Sequence, residues 1–314
     1  MIPTAALTIV TNPGSTGNRR APAWISPLIA AESGISEVRG ETPEAIAAAV
    51  KKAAVDGCEI LVVNGGDGTA NLVFTALFSL DGVRPPAIMI LPAGKTNMTS
   101  ASWNRGGEKA DALRRLLALR RAGEIDRHVH SQTVLAVRQS PDRPPVHGAF
   151  LGAADVVDGI LMCRRSIYPL GLPNAVSHSA AVSLMFWRAM LGGADKEVSA
   201  SWPDGGETGQ FLFAGVTALD RLILGVRLEQ AEGAGPLTYF SLGSGPRALG
   251  AALPALLARR IDPGFRRTVR RAERVTLRFT GAYTLDGELY EADAATPIEV
   301  TAAGQLPFVR LSSP

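Results

Sequence analysis

Three short loops of the chain combine glycine with asparagine, serine or threonine, and each follows an apolar stretch with the character of a strand. Glycine lets backbone N–H groups approach a polyphosphate closely, and a helix that begins after such a loop adds its positive end. In open parallel sheets, ligands bind at the carboxyl ends of the strands. The pattern therefore favours a triphosphate as ligand. The candidate binding residues are Asn12, Pro13, Gly14, Ser15, Asn64, Gly65, Gly66, Asp67, Gly68, Thr69, Asn71, Gly94, Lys95, Thr96 and Asn97.

Acidic residues accompany glycine at two places. Asp67 lies between two glycines of the second loop, where a carboxylate beside phosphates is suited to bind magnesium or to act as a base. Asp286 and Glu288 flank a glycine late in the chain. Asp-Gly alone indicates a hairpin turn, but phosphoryl transfer to an alcohol requires a carboxylate that receives the proton. Lys95 does not belong to a Walker A loop. Two interpretations therefore remain for it: a contact with phosphate, or an ordinary solvated lysine.

Strand-like and helical patterns alternate in the first part of the chain, which predicts a parallel sheet covered by helices. Beyond Ile125, period-two patterns between glycines and prolines predict a β-rich second domain. An apolar helix over Asn174–Leu191 is predicted there, either lining a cleft or packing in the core. The predicted strands are 7–10, 60–63, 87–91, 134–137, 211–215, 222–228, 275–279 and 298–301, and the other predicted helices are 42–54, 70–80 and 109–121.

The composition is that of an ordinary globular protein, with 314 residues, 46% of them hydrophobic and 19% charged. Neither of the two cysteines belongs to a C-x-x-C pair, which argues against a zinc ribbon or a disulfide framework and favours the cytoplasm. No stretch approaches the roughly 20 apolar residues that cross a bilayer, and we expect no secretory signal at the N-terminus.

Basic residues are concentrated in one segment, although the net charge is only +3. Such a cluster predicts contact with an anionic membrane surface, and an ordinary solvated helix is the alternative. Nucleic acid is not predicted as a partner, because no run of exposed aromatic residues accompanies the basic residues. The cluster consists of Arg259, Arg260, Arg266, Arg267, Arg270, Arg271 and Arg274.

In order and spacing, the motifs resemble the diacylglycerol kinase catalytic-domain family of bacterial lipid kinases, to which sphingosine and ceramide kinases are related. The resemblance covers nearly the whole chain. It implies an N-terminal parallel-sheet α/β nucleotide-binding domain and a C-terminal β-sandwich, with ATP and Mg²⁺ in an active-site cleft between them. The matching segments are Asn12-Pro13, Gly65-Gly66-Asp67-Gly68-Thr69 with Asn71, Pro92-x-Gly94 with Asn97, Gly123-x-Ile125-Asp126 and Leu285-Asp286-Gly287-Glu288.

The resemblance also implies roles for the acids. Asp67 resembles the essential acid of the family. Asp286 and Glu288 resemble the pair that binds metal and supplies the base, and either of the two could be that base.

We expect domains at 1–127 and 128–304, with 305–314 returning to the first domain. The implied activity is an ATP- and magnesium-dependent lipid kinase acting on diacylglycerol or on a sphingoid or ceramide-type lipid. We expect a cytoplasmic protein with peripheral contact at the inner face of the membrane, and a homodimer is a further hypothesis.

The third loop departs from the family pattern Pro-x-Gly-Thr-x-Asn-Asp. Lys95 replaces the threonine and Met98 replaces the final aspartate. Loss of the acid removes a potential metal ligand, which keeps an inactive lipid-binding pseudokinase as an alternative. A NAD kinase is the other alternative, since it shares Gly-Gly-Asp-Gly, but the chain lacks the Asn-x-Gly-x-x-Gly-Phe-Leu segment that follows that motif in NAD kinases.

Overall fold

The computed structural model describes residues 5–20, 23–30, 32–154, 157, 197–222 and 225–311. The chain divides into two compact units, of which the first comprises Met1–Val134 with Ala303–Pro314 and the second comprises Leu135–Ala302. The predicted apolar helix at 174–191 lies outside the described residues. Within the described ranges, no helix is both long and apolar enough to span a bilayer.

Helices and strands alternate up to Ala122, and strands predominate afterwards. The helices are α1 (Thr16–Arg20), α2 (Ser26–Ile29), α3 (Pro43–Val55), α4 (Asp67–Phe78), α5 (Lys109–Ala122) and α6 (Pro246–Leu257), together with a π-helical turn at Ser100–Asn104 and a 3₁₀ turn at Ile125–His128. The strands are β1 (Leu7–Thr11), β2 (Ile35–Arg39), β3 (Ile60–Gly65), β4 (Ala87–Pro92), β5 (Val129–Arg138), β6 (Val146–Gly148), β7 (Phe150–Ala153), β8 (Glu197–Trp202), β9 (Gly205–Thr217), β10 (Arg227–Leu228), β11 (Glu232–Gly233), β12 (Leu237–Gly243), β13 (Arg260–Ile261), β14 (Arg267–Ala272), β15 (Arg274–Arg278), β16 (Gly281–Leu285), β17 (Glu288–Ala292) and β18 (Ile298–Val309).

The first unit is built on a parallel sheet with the strand order β2-β1-β3-β4-β18. All six residues of β3 are buried, as expected for a central strand covered by helices on both faces. Thr11 of β1 pairs with Asn64 of β3, and Gly65 pairs with Pro92 of β4. This register brings the carboxyl ends of the three strands to one edge of the sheet, so the loops that follow them are neighbours.

Helix α3 begins where its capping residues predict. The Thr42 side chain accepts a hydrogen bond from the Ala45 N–H at 3.2 Å, Pro43 opens the helix and Glu44 lies in its first turn. A side-chain cap satisfies one of the N–H groups that a helix leaves unbonded at its start, and proline there loses no hydrogen bond. The predicted start of this helix is therefore confirmed.

A buried asparagine attaches the π-helical turn to the sheet. The Asn104 side-chain amide donates to the carbonyl groups of Val309 at 2.7 Å and Ile88 at 3.2 Å, and its oxygen accepts from the N–H of Ile90 at 3.1 Å. Asn104 is fully buried. Its three hydrogen bonds satisfy polar backbone groups that water does not reach, and they connect β4 to the C-terminal part of β18.

The second unit is an antiparallel β structure around one apolar core. The long strand β9 pairs with β7, β8 and β12, and β14 pairs with β12. Helix α6 packs on these strands through Leu249 and Ala252, which contact the side chains of Leu212 and Leu242. The predicted fold class, a parallel α/β unit followed by a β-rich unit, is confirmed.

Two predictions for the second unit were wrong. Among the described residues of the strand predicted over 222–228, only Arg227 and Leu228 lie in a strand, and the Leu222 N–H instead donates to the Val226 carbonyl. Five of the seven arginines of the arginine-rich segment lie on β13, β14 and β15, and Arg259 and Arg266 lie in turns, which contradicts the helical alternative.

Strand β2 and helix α6 were not predicted. Residues of β2 are mostly exposed or half-buried, so its pattern lacks the apolar run of a central strand.

Candidate active site

The first two predicted loops are joined by asparagine side chains. Asn12 accepts a hydrogen bond from the Gly14 N–H and donates to the Thr69 hydroxyl, each at 2.9 Å. The buried Asn18 amide donates to the carbonyl groups of Asn12 and Asn64, also at 2.9 Å. Asn18 was not predicted to be a site residue, because its partner Asn64 lies 46 positions away in the sequence. The network fixes the first loop against the carboxyl end of β3.

The second and third loops approach each other at two glycines. A Cβ atom added at Gly94 would lie 2.7 Å from the Gly66 Cα, and one added at Gly66 would lie 2.8 Å from the Gly94 Cα. The Gly17 N–H donates to the Ala93 carbonyl at 2.8 Å, which adds the first loop to the same cluster. The structure therefore brings all three loops together, and the glycines at 66 and 94 are required by loop packing itself.

The Asp67 carboxylate accepts hydrogen bonds from the backbone directly after the third loop. It lies in the first turn of α4 and is 5% exposed. One carboxylate oxygen accepts from the Thr99 N–H at 3.0 Å and the other accepts from the Met98 N–H at 3.1 Å. Burial raises the pKa of the Asp67 carboxyl, and the hydrogen bonds from Thr99 and Met98 oppose that increase. Asp67 thus positions the third loop in addition to any role in chemistry.

Asn97 closes the third loop on itself. Its side-chain oxygen accepts from the Gly94 N–H at 2.7 Å, its amide donates to the Gly94 carbonyl at 3.0 Å, and its φ is 54°. Asparagine tolerates this left-handed conformation better than most residues. Of the two predicted site residues between Gly94 and Asn97, Thr96 is exposed and Lys95 is half-buried.

The start of α4 has the features of a phosphate site. Its N-cap residue, Gly66, supplies no side-chain hydrogen bond, so the first N–H groups of the helix are not capped by their own residue. Asn71, one turn further, is buried, and its amide nitrogen has no hydrogen-bond partner among the described residues. A helix N-terminus with adjacent amide donors binds anionic oxygen atoms. These residues fit a polyphosphate.

The donor chemistry also fits Mg²⁺. The Asp67 carboxylate supplies oxygen ligands with several lone pairs, and the Met98 and Thr99 N–H groups occupy one on each oxygen. Among the described residues, no three His, Cys, Asp or Glu side chains form a metal-binding group. Mg²⁺ is usually held by one or two carboxylates together with substrate phosphates and water, so such a group is not needed.

Asp286 repeats the arrangement of Asp67 in the second unit. Its two oxygens accept from the N–H groups of Ala149 and Phe150, both at 2.9 Å, and its own N–H donates to the Phe150 carbonyl at 2.9 Å. Asp286 is 3% exposed and has a φ of 50° in the turn between β16 and β17. A Cβ atom at Gly148 would lie 2.4 Å from an Asp286 carboxylate oxygen, so glycine is required there. Asp286 fixes the start of β7.

Glu288 differs from Asp286 although only a glycine separates them. It is the first residue of β17, it pairs with Leu285 across the hairpin, and its side chain is exposed. The Asp286-Gly287 pair therefore forms the hairpin turn that its sequence indicates, with the buried Asp286 carboxylate in the turn and the exposed Glu288 carboxylate directly after it.

Lys109 is a site residue that the sequence analysis missed. Its ammonium group donates to the Gly17 carbonyl at 2.9 Å and lies 4.9 Å from the centre of the Trp24 ring. Burial lowers the pKa of this ammonium. Lys109 begins α5 and shares no motif with the first loop, so only the folded chain reveals that it supports the loop.

Replacement of Lys109 by methionine should raise the Kd for ATP about tenfold, because the Gly17 carbonyl loses its donor and the first loop loses its support. Isothermal titration calorimetry with ATP measures this change. Lys52→Met is the matched control, since Lys52 is exposed on α3 and its ion pair with Asp56 is distant from the loops. Equal ATP affinity of the Lys109→Met variant and the control would contradict the supporting role.

A cavity of about 740 Å³ lies at the opposite edge of the parallel sheet. It is lined by Ile60 and Ala87, where β3 and β4 begin, and by Arg120 near the end of α5. None of the predicted site residues lines it, so it is separate from the three loops.

Comparisons with known proteins support the resemblance. Residues 6–127 match the family model of the diacylglycerol kinase catalytic domain, which confirms the resemblance over this part of the chain. No curated protein matches the chain. A diacylglycerol kinase structure from Bacillus anthracis str. Sterne is 14% identical with a TM-score of 0.61, and the match covers 97% of this chain and 96% of that one. A yeast NADH kinase complexed with NADH is 8% identical with a TM-score of 0.51, over 99% and 85% of the chains. The family match supports a kinase, and the structural matches support the shared two-domain fold.

Proposed function

We propose that this chain, which carries a diacylglycerol kinase catalytic domain over residues 6–127, is an ATP- and magnesium-dependent kinase that phosphorylates a hydroxyl group of a membrane lipid. The proposed acceptor is diacylglycerol or a sphingoid or ceramide-type lipid. One observation carries the proposal most strongly: three glycine-containing loops meet at the uncapped start of α4, with the buried Asp67 carboxylate joining two of them.

In the proposed reaction, the N–H groups at the start of α4 and the Asn71 amide hold the phosphates of ATP. The acceptor oxygen bonds to the γ-phosphorus, the bond from that phosphorus to the β–γ bridging oxygen breaks, and its electrons leave with ADP. Mg²⁺, when bound, neutralises phosphate charge. Asp67 is the carboxylate of the first unit that would hold it, and the resemblance adds Asp286 and Glu288 to the set.

The hydroxyl proton needs an acceptor, and Glu288 is the better candidate of the pair. The two Asp286 oxygens already hold the N–H groups of Ala149 and Phe150, whereas the Glu288 side chain is exposed. We therefore assign proton acceptance to Glu288 and backbone positioning to Asp286 within the proposed mechanism.

The replacement of an aspartate by Met98 is compatible with an active kinase. The contact that Met98 makes with Asp67 uses its backbone N–H, which any residue other than proline supplies at this position. The altered side chain thus leaves the Asp67 contact intact, and Asp67 itself supplies the carboxylate that the proposal assigns to Mg²⁺, so the proposed kinase does not depend on an acid at position 98.

Transfer of labelled γ-phosphate to a panel of acceptors tests the proposal. The panel contains diacylglycerol, monoacylglycerol, sphingosine and ceramide in mixed micelles, with NAD as the competing acceptor. We expect magnesium-dependent labelling of one lipid and none of NAD. Labelling of NAD without any lipid would support the NAD kinase alternative. ATP binding without transfer to any acceptor would support the pseudokinase.

A further inference from the structure

Helix α6 exposes apolar side chains. Five large hydrophobic residues are exposed among the described residues, and three of them, Leu253, Leu257 and Phe265, lie within 253–265. Leu253 is 43% exposed and Leu257 is 76% exposed, and they are one turn apart on the same helix face. Leu249, one turn before Leu253, and Ala252 pack on the β core with Leu212 and Leu242. The apolar stripe of α6 therefore continues from the β core to the solvent-exposed leucines at 253 and 257.

A turn that is hydrogen-bonded to α6 carries the third exposed side chain, Phe265. It is 58% exposed in the turn between β13 and β14, which a backbone bridge between Gly264 and Arg267 closes. The Arg267 side chain donates to the Ala251 carbonyl of α6 at 2.6 Å. This hydrogen bond connects the turn that carries Phe265 to the helix that carries the two leucines. The three exposed apolar side chains are hereafter called the α6 patch (Leu253, Leu257 and Phe265).

Arginines flank the α6 patch in the sequence, and the nearest acidic residue in the sequence, Asp262, pairs with Arg260. The segment from Pro246 to Ile261 contains Arg247, Arg259 and Arg260 and no Asp or Glu. Arg247 and Arg259 are exposed and make no ion pair with any described residue, whereas Arg260 pairs with Asp262. Arg266, next to Phe265, is exposed, and its side chain donates only to the Ser244 carbonyl among the described contacts. An apolar centre with a cationic rim matches an anionic bilayer surface.

The other arginines that were predicted to contact the membrane bind carboxylate or carbonyl groups of the protein itself. Arg270 pairs with Asp204 and Glu232, Arg271 donates to the Gly235 carbonyl, and Arg267 holds the turn. The ion pairs offset the charge of Arg270, and the carbonyl contacts hold the side chains of Arg267 and Arg271 within the protein.

We propose that the α6 patch, with Arg247, Arg259 and Arg266 around it, docks the protein on an anionic lipid bilayer. This inference rests on the proposed function, since a kinase of membrane lipids must reach the bilayer. The leucines and the phenylalanine enter the boundary between headgroups and acyl chains, and the arginines bind anionic headgroups. Docking is peripheral and weakens as salt screens the arginines.

Co-sedimentation of the full chain with lipid vesicles, without ATP, tests the inference. We expect binding to vesicles rich in phosphatidylglycerol and weak binding to pure phosphatidylcholine. The triple variants Leu253→Ser/Leu257→Ser/Phe265→Ser and Arg247→Gln/Arg259→Gln/Arg266→Gln should each bind anionic vesicles at least about tenfold more weakly. Val38→Ser/Val55→Ser is the matched control, because both valines are exposed large hydrophobic residues of the first unit.

Three results would overturn the inference: no binding of the unmodified chain to anionic vesicles, wild-type binding by both triple variants, or equal loss in the control. Circular dichroism establishes that each variant is folded.

If analytical ultracentrifugation shows that the serine triple variant loses a dimer while its vesicle binding is unchanged, the α6 patch is a self-association surface instead. Failure of the proposed function is distinguishable, because it would leave vesicle binding intact while no lipid is phosphorylated.

Discussion

Replacement of Asp67 by asparagine is expected to lower the rate of phosphoryl transfer at least about 10³-fold. An asparagine side chain has one oxygen for the two N–H groups of Met98 and Thr99, and its amide nitrogen would face one of these donors. The variant also lacks the negative charge that a magnesium ion requires. Steady-state transfer of labelled γ-phosphate to the lipid acceptor measures the loss.

Hydrogen exchange separates the structural part of this effect from a general loss of folding. Exchange of the peptide that contains Met98 and Thr99 should become faster in Asp67→Asn, because asparagine has one acceptor oxygen for the two amides and one of them loses its partner. Asp81→Asn is the matched control, since Asp81 is exposed beyond the end of α4. Retention of activity within tenfold of the unmodified chain would contradict the role given to Asp67.

Replacement of Gly94 by alanine is expected to raise the Kd for ATP at least about 100-fold. The new methyl group would lie 2.7 Å from the Gly66 Cα and 3.0 Å from the Asn97 side-chain oxygen, and the first of these neighbours is backbone that cannot rotate away. The second and third loops must then separate, which moves the start of α4 relative to its neighbours. Overpacking of this kind costs typically about 1–3 kcal/mol of stability.

Calorimetric titration with ATP measures the Gly94→Ala effect, and thermal unfolding reports the stability of the variant. Gly250→Ala is the matched control, because no heavy atom lies within 4 Å of a Cβ atom built at Gly250 of α6. Unchanged ATP affinity in a folded Gly94→Ala protein would mean that loop packing does not shape the nucleotide site.

Local signals allowed much of the first unit to be predicted. The capping residues Thr42 and Pro43 define the start of α3 within a few positions, and unbroken apolar runs identify β3 and β4. Because these strands were predicted to be parallel, the loops after β1, β3 and β4 were expected at one edge of the sheet, as the structure has them. The meeting of the predicted loops is therefore a consequence of topology.

Contacts between distant parts of the chain could not be predicted. Lys109 reaches Gly17 across 92 positions, and Asn104 reaches Val309 across 205 positions. Neither residue belongs to a recognisable pattern, because its role depends on which backbone carbonyl the fold brings near it. The backbone contacts of Asp67 and Asp286 belong to the same class: their residue types suggested chemistry, but only the structure shows that each carboxylate holds two consecutive N–H groups.

The arginine-rich segment illustrates a different limit. Its composition is equally suited to a helix or to a strand, and the acidic residues that pair with Arg270 lie far away in the sequence at Asp204 and Glu232. The sequence therefore indicated a single basic patch, whereas the folded unit divides these arginines into internally paired residues and exposed ones beside α6.

Identification of the lipid product is the most direct test of the central claim, that the chain transfers phosphate from ATP to a lipid hydroxyl. Purified protein is incubated with ATP, Mg²⁺ and diacylglycerol micelles, and the extracted lipid is analysed by mass spectrometry. We predict a lipid that has gained one phosphoryl group, formed in equal amount to ADP and absent with a chelator or with Asp67→Asn. ADP formation without any phosphorylated lipid, for diacylglycerol and for the sphingoid and ceramide acceptors alike, would contradict the claim.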